Sequence, residues 1–173
     1  MKAWCKISFE TISNTTNPLY YAHHLYLDGE EIKDLVIPNG LNYIGDKAFS
    51  FCSGLTSLTI PEKVTNIGAG AFYECSGLTT ITSLNKTPPK VGVAPFYGCY
   101  SATLQVPKGS KKAYMNADYW NKFKKIVEID PTGIENVILD KEINSPVYDL
   151  NGRKLKNPQK GINIINGKKI IIK

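Results

Sequence analysis

The chain has little of what chemistry is usually built from. In 173 residues there are only two histidines, His23 and His24. If "YYAHHLY" is extended, these neighbours leave opposite faces of the strand and cannot hold one ion together. No glycine-rich phosphate loop occurs. The four cysteines never form the Cys-x-x-Cys pairs of a metal site. No nucleophile, base and orienting group recur together. The sequence therefore offers no catalytic residue, no cofactor-binding residue and no metal ligand, and the expectation is a protein that is not an enzyme.

Long hydrophobic runs are also missing. None approaches the ~18 residues of a membrane span. The opening residues, "MKAWCKISFETISNTTNP", hold no apolar stretch followed by a small-residue cleavage site, so no signal peptide is visible. Residues 150–173 carry six lysines and Arg153 with no Asp or Glu, while the rest of the chain is nearly balanced. The net charge of +6 is therefore a property of the tail. A basic tail raises the question of nucleic acid. Here the charges flank hairpin-like turns, with Tyr148 the one nearby aromatic, so there is no stacking platform and no nucleic-acid partner is expected.

What the chain does have is a repeat. "IKDLVIPNGLNYIGDKAFSFCSG" (32–54) returns 23 positions later as "LTSLTIPEKVTNIGAGAFYECSG" (55–77). Ile37 falls on Ile60, Pro38 on Pro61, Gly45 on Gly68, Phe49 on Phe72 and Cys52 on Cys75. A fixed period in the twenties predicts a solenoid with one short parallel strand per turn and little helix. Leu35/Ile37 and Leu58/Ile60 alternate as strand residues do, and the prolines that follow end the pairing. Gly45 and Gly68 suit tight turns. Phe49, Phe72 and Phe96 are expected to stack inside the coil, and Cys52, Cys75 and Cys99 to be reduced, buried core thiols. Cys5 lies outside the pattern. One residue is inserted in the third turn at "NKTPPK", and "TLQVP" supplies a fourth strand.

The division expected is a repeat domain over 1–130 and a small all-β module over 131–173. Within the first, residues 1–31 are a hairpin segment signalled by Asp28-Gly29, 32–106 the repeats and 107–130 a cap. In the cap, Ser110 is placed to cap a short helix, Trp120 and Phe123 to cover the open core, and Ile126, Val127 and Ile129 to form a closing strand. The second module rests on strand-like runs around Asn151-Gly152 and Asn166-Gly167.

The pattern "LTxLTIPxxVTxIGxxAFxxCSG" resembles the BspA-type leucine-rich repeats of surface and secreted proteins of Bacteroides-like bacteria. The segments "NPLYYAHHLYLDGEEIKDLVIP" and "VPKGSKKAYMNADYWNKFKKIVEI" are similar to those that accompany such repeats, and the tail resembles C-terminal β modules of secreted Bacteroidetes proteins, some of them sorting signals. The resemblance implies a leucine-rich-repeat solenoid, the C-terminal portion of a longer protein or a short member, secreted or at the cell surface. It implies adhesion to an extracellular or host protein, with a glycan-binding module or an inert adhesin fragment as alternatives. From the residues themselves, the candidate binding face is the outward side of the strands. One lane reads Asp34, Ser57, Thr80, Thr103; its neighbour reads Val36, Thr59, Thr82, Gln105. Tyr43, Tyr73 and Tyr97 are candidate aromatic anchors beside it.

Overall fold

The computed structural model describes residues 1–9, 16–27 and 29–130, and the strand backbones at 147–148, 154–155, 161–165 and 168–172. Its contacts divide into two units, Met1–Ile129 and Asp130–Lys173.

The first unit opens with two short helices, α1 (Lys2–Cys5) and α2 (Leu19–Ala22), and a small antiparallel pair, β1 (Tyr26–Leu27) and β2 (Glu30–Glu31). Pairing of Leu27 with Glu30 leaves two residues to connect the strands, as the Asp28-Gly29 signal predicts; Asp28 itself lies outside the described residues. Among the described residues of the expected hairpin segment, the hairpin strands are 26–27 and 30–31, preceded by helix at 2–5 and 19–22. The histidines are not on a strand. His23 ends α2 in the left-handed conformation, φ 59°.

The coil follows. β3 (Asp34–Val36), β5 (Ser57–Ile60), β7 (Thr80–Ser83), β9 (Thr103–Pro107) and β10 (Lys125–Ile129) form one parallel sheet in the order β10-β9-β7-β5-β3. Successive turns also contribute β4 (Tyr43–Ile44), β6 (Asn66–Ile67) and β8 (Lys90–Val91) to a second parallel sheet. The expectation of one strand per turn thus missed a strand. Two-residue strands carry too little alternation to be seen by periodicity. A further side of each turn is tied by backbone bonds alone: the Lys47, Phe49 and Phe51 amides donate to the carbonyls of Ala69, Ala71 and Tyr73, at 2.9, 2.8 and 2.7 Å. The same three bonds recur one turn on, from Gly70, Phe72 and Glu74 to Val93, Pro95 and Tyr97.

Between these walls the repeated apolar positions are buried as columns. Phe49, Phe72 and Phe96 stack nearly face to face, with centroids 5.4 and 5.6 Å apart and planes within 4° and 5° of parallel. Cys52, Cys75 and Cys99 are free and buried. The Cys75 and Cys99 thiols donate to the carbonyls of Phe49 and Phe72 in the preceding turn, at 3.0 and 3.1 Å. Cys5, which the period could not place, joins the same core. Its carbonyl accepts from the Gly45 amide at 2.8 Å, the bond that the Ile44 carbonyl makes with the Gly68 amide one turn later. The amino-terminal segment thus does part of the work of a preceding turn.

Gly45 and Gly68 each open a tight turn, their carbonyls accepting from the Ala48 and Ala71 amides at 3.3 Å, but not by a left-handed backbone. Neither has a positive φ; a side chain on either would strike the backbone of the adjoining segment, Ile7 for Gly45 and Asp46 for Gly68. The left-handed positions are elsewhere and also repeat: Lys47, Gly70 and Ala94 at one, Phe51, Glu74 and Gly98 at the other. Glycine fills only one of three at each, which hid them from the sequence.

At the far end, α3 (Lys111–Met115) and a 3-10 turn (Trp120–Lys122) precede β10. Trp120 packs on Phe96 with centroids 4.8 Å apart, and Phe123 does so at 5.5 Å, extending the phenylalanine column. Ser110 precedes α3 but its side chain does not cap it. A Glu128 carboxylate oxygen instead accepts from the Gly109 and Lys111 amides, each at 3.0 Å. The charged acceptor satisfies two amides that a serine hydroxyl would share poorly.

The second unit has β11 (Val147–Tyr148), β12 (Lys154–Leu155), β13 (Gly161–Ile165) and β14 (Lys168–Ile172), all antiparallel, in the order β12-β11-β13-β14. The Asn-Gly turns expected at 151–152 and 166–167 lie outside the described residues.

Candidate interaction face

The outward lanes follow from register. Asp34 pairs with Ser57, Ser57 with Thr80, and Thr80 with Thr103; Val36 pairs with Thr59, Thr59 with Thr82, and Thr82 with Gln105. All eight candidate residues therefore stand in two side-by-side rows, with neighbours in each row one strand spacing apart. Inward Leu35, Leu58, Ile81 and Leu104 fix this placement, because a one-residue slip would expose the whole buried set.

The rows are not uniform. Asp34 accepts from the Ser57 hydroxyl at 2.6 Å, so the acidic end of the first row is tied to its neighbour. Thr82 is only 7% exposed and its hydroxyl donates to Gln105 Oε1 at 3.0 Å. It belongs to the scaffold of the face more than to its contact surface. Val36, 44% exposed, is the apolar end of the second row. Spacing also missed a fifth member in each row: β10 adds Lys125 beside Thr103 and Val127 beside Gln105. The interval from Thr103 to Lys125 departs from 23 and encloses α3, which broke the pattern.

The aromatic candidates divide. Tyr43 is a structural group: its hydroxyl donates to Asp46 Oδ1 at 3.1 Å, and Asp46 Oδ1 also accepts from the Ala69 amide at 2.8 Å, tying two turns together. Tyr73 and Tyr97 belong to an outer ladder with Tyr20 and Phe51, with successive centroids 4.9, 5.6 and 5.0 Å apart. The Tyr73 and Tyr97 rings lie within 13° of parallel, so the ladder spends ring faces on itself and Tyr97, 51% exposed, is its open end. A sugar platform needs free faces; this column leaves few.

One polar network was not foreseen. Ser83 occupies the inward column next to Ile60 and is fully buried. Its hydroxyl lies 2.6 Å from the Tyr114 hydroxyl, which donates to the Asn85 carbonyl at 2.9 Å. The Asn85 amide in turn donates to the carbonyls of Pro61 and Val64, at 3.3 and 3.0 Å. The Trp120 indole donates to the Pro89 carbonyl at 2.9 Å. These bonds clamp the inserted "NKTPPK" segment, and burial pushes the Tyr114 hydroxyl up to about 12. Such a site holds structure, with no group poised to transfer a proton near neutrality.

His24 and His23 go to separate partners. His24 Nδ1 lies 2.6 Å from Glu31 Oε1, and His23 Nδ1 lies 3.2 Å from the Phe51 carbonyl. Among the described residues, no three His, Cys, Asp or Glu side chains converge as metal ligands, and no helix is long and apolar enough to cross a membrane.

Residues 22–130 match the family model for the BspA type leucine-rich repeat region (6 copies). The match spans well over half of the chain, and the chain belongs to that family. No curated protein matches it.

Proposed function

We propose that the protein is a non-enzymatic interaction protein, secreted or displayed at a cell surface, that binds another protein through the outward face of its repeat strands. Leucine-rich repeats commonly mediate protein–protein interaction, and an extended parallel sheet is the surface solenoids offer. The observation that carries the reading is the register: it lines Ser57, Thr80 and Thr103 in one uninterrupted polar row on strands whose other side is wholly committed to the core. The partner is an extracellular or host protein, and a Bacteroides-like source fits the repeat signature. The basic unit from Asp130 onward is an address or anchor, separable from the repeats.

A short hydroxyl row offers modest contacts, so useful adhesion needs many copies on one surface. Beads displaying the protein should adhere to host extracellular protein, and beads displaying Thr80→Lys/Thr103→Lys should adhere much less. Equal adhesion by the folded double variant would move the binding surface elsewhere. Adhesion lost instead on mutating Tyr97, and competed by free glycan, would favour sugar recognition.

A further inference from the structure

The two ends of the five-stranded sheet are complementary to one another, through the terminal members of the outward rows and not through the hydroxyls between them. β3 and β10 are its edge strands. The acidic edge carries Asp34 with Glu30 and Glu31 just before it; the basic edge carries Lys125 with Lys124 beside it and Lys111 across the adjoining groove. Each row thus begins and ends on matching chemistry: Asp34 against Lys125, and Val36 against Val127, with inward Leu35 against Ile126.

Hydrogen-bond parity matches as well. In a parallel pair, successive residues of a strand point their backbone groups to opposite neighbours. The Ile37 amide donates to the Thr59 carbonyl at 3.0 Å, so Leu35 and Ile37 face β5, and Asp34 and Val36 face the outer edge. The Lys108 amide donates to the Ile129 carbonyl at 2.9 Å, so Lys125, Val127 and Ile129 face β9, and Ile126 and Glu128 face the other outer edge. Within the sheet, an outward residue such as Thr59 is served by the inward residues flanking its counterpart on the preceding strand. Val36 set beside Val127 would be served by Ile126 and Glu128 in the same way. The register that brings Asp34 onto Lys125 is therefore the register in which the backbone ladder continues.

We propose that β3 of one copy of this chain adds to β10 of another, continuing the sheet head to tail. A groove of about 450 Å³ runs along β10, lined by Met115, Phe123, Ile126 and Val127 among others. The apolar side chains at the opposite end, Tyr26, Leu27 and Val36, are 61%, 44% and 44% exposed. Lys33 over Lys124 is the one opposed pairing in this register. The contact is heterologous, so it builds rings or open chains and not an isologous dimer. One short strand pair makes it weak, and its charges make it sensitive to salt.

Sedimentation velocity of the full chain between about 10 μM and 1 mM, where weak strand additions are populated, tests this. The sedimentation coefficient should rise with concentration and the rise should shrink in high salt. Asp34→Lys and Lys125→Glu, each alone, should weaken association about tenfold or more. An equimolar mixture of the two variants should recover it, because every contact between unlike copies then joins opposite charges. If either reversal disturbs folding, Asp34→Asn and Lys125→Gln remove the charge alone and should weaken association less. A single species throughout the range, association indifferent to both residues, or a mixture no better than its components would overturn the proposal.

Discussion

The inner phenylalanine column and the outer hydroxyl row have the same period, yet their repetition has different causes. Phe49, Phe72 and Phe96 are fully buried and lie against one another within 5.6 Å, so each ring is the wall of the next. A change at one position is felt at its neighbours. Ser57, Thr80 and Thr103 share a register but are partly exposed, and no hydrogen bond runs between them along the row. Packing demands the first repetition and merely permits the second. Sequence periodicity alone cannot tell a column held by packing from one left free for a partner.

Breaking the inner column should have the largest effect. Phe72→Ala removes a ring sandwiched on both faces, and a core truncation of this kind costs about 3–5 kcal/mol. With so few turns to share the loss, most of the protein should be unfolded, as a thermal melt would read. A melt matching the parent would show that the column does not carry the fold.

Alkali should attack the same interior. Burial pushes the Cys52 thiol from 9.0 to about 12, the Tyr114 hydroxyl from 10.0 to about 12, and the Cys75 thiol up as well. Below pH 9 both folded and unfolded chains keep these protons, and their contribution to stability is constant. Above it the unfolded chain releases them first, so stability falls as pH rises toward about 12. Each group contributes about 1.4 kcal/mol per pH unit while its folded form stays protonated. Urea midpoints should hold between pH 7 and 8.5 and drop at pH 10; a flat profile would place these groups in water.

The backbone positions sharpen the contrast between what repeats and what is needed. Gly68→Ala would drive a side chain to within 2.5 Å of the Asp46 amide nitrogen and should cost about 1–3 kcal/mol. Glu74→Gly, at φ 55°, should stabilise by about 0.5–1 kcal/mol, since relief of a left-handed residue exceeds the added freedom of the unfolded chain. A glycine that recurs with the repeat would thus be harder to replace than a glutamate is to remove. Equal and opposite results from chemical denaturation would reverse the assignment of the two glycine-type positions.

How much the sequence disclosed follows the same physics. The parallel strands 57–60, 80–83 and 103–107, the ring column and the outward rows were legible because a 23-residue period forces equivalent residues together. Where one side chain substitutes for another in the same role, the period is silent. The left-handed sites of Lys47 and Glu74 carry no glycine, Cys5 takes the place of an isoleucine, and Glu128 caps a helix from 17 residues away. Ser83, Asn85 and Tyr114 form a network only because the inserted third turn brings distant residues together. On the face itself, register was readable but burial was not. Thr82 is hidden because Gln105 lies across its hydroxyl, and nothing in a lane of Thr and Gln says which member is covered.

The smallest effect belongs to the outer row, and its smallness is the point. Thr103 is partly exposed and lies between Thr80 and Lys125 in the first row. Thr103→Glu should change stability by within about 0.5 kcal/mol, since exposed strand substitutions away from caps and cores seldom do more. The new carboxylate also stands beside the Lys125 ammonium, where an exposed cross-strand pair contributes a few tenths of a kcal/mol at most. Denaturant midpoints for Thr103→Glu and the parent should therefore coincide within error at 0.15 M salt, a concentration that screens exposed charges over about 8 Å. A loss as large as that of Phe72→Ala would mean that the row is held by packing after all. The hydroxyls would then be scaffold, and the surface available to a partner would shrink to the ends of the sheet.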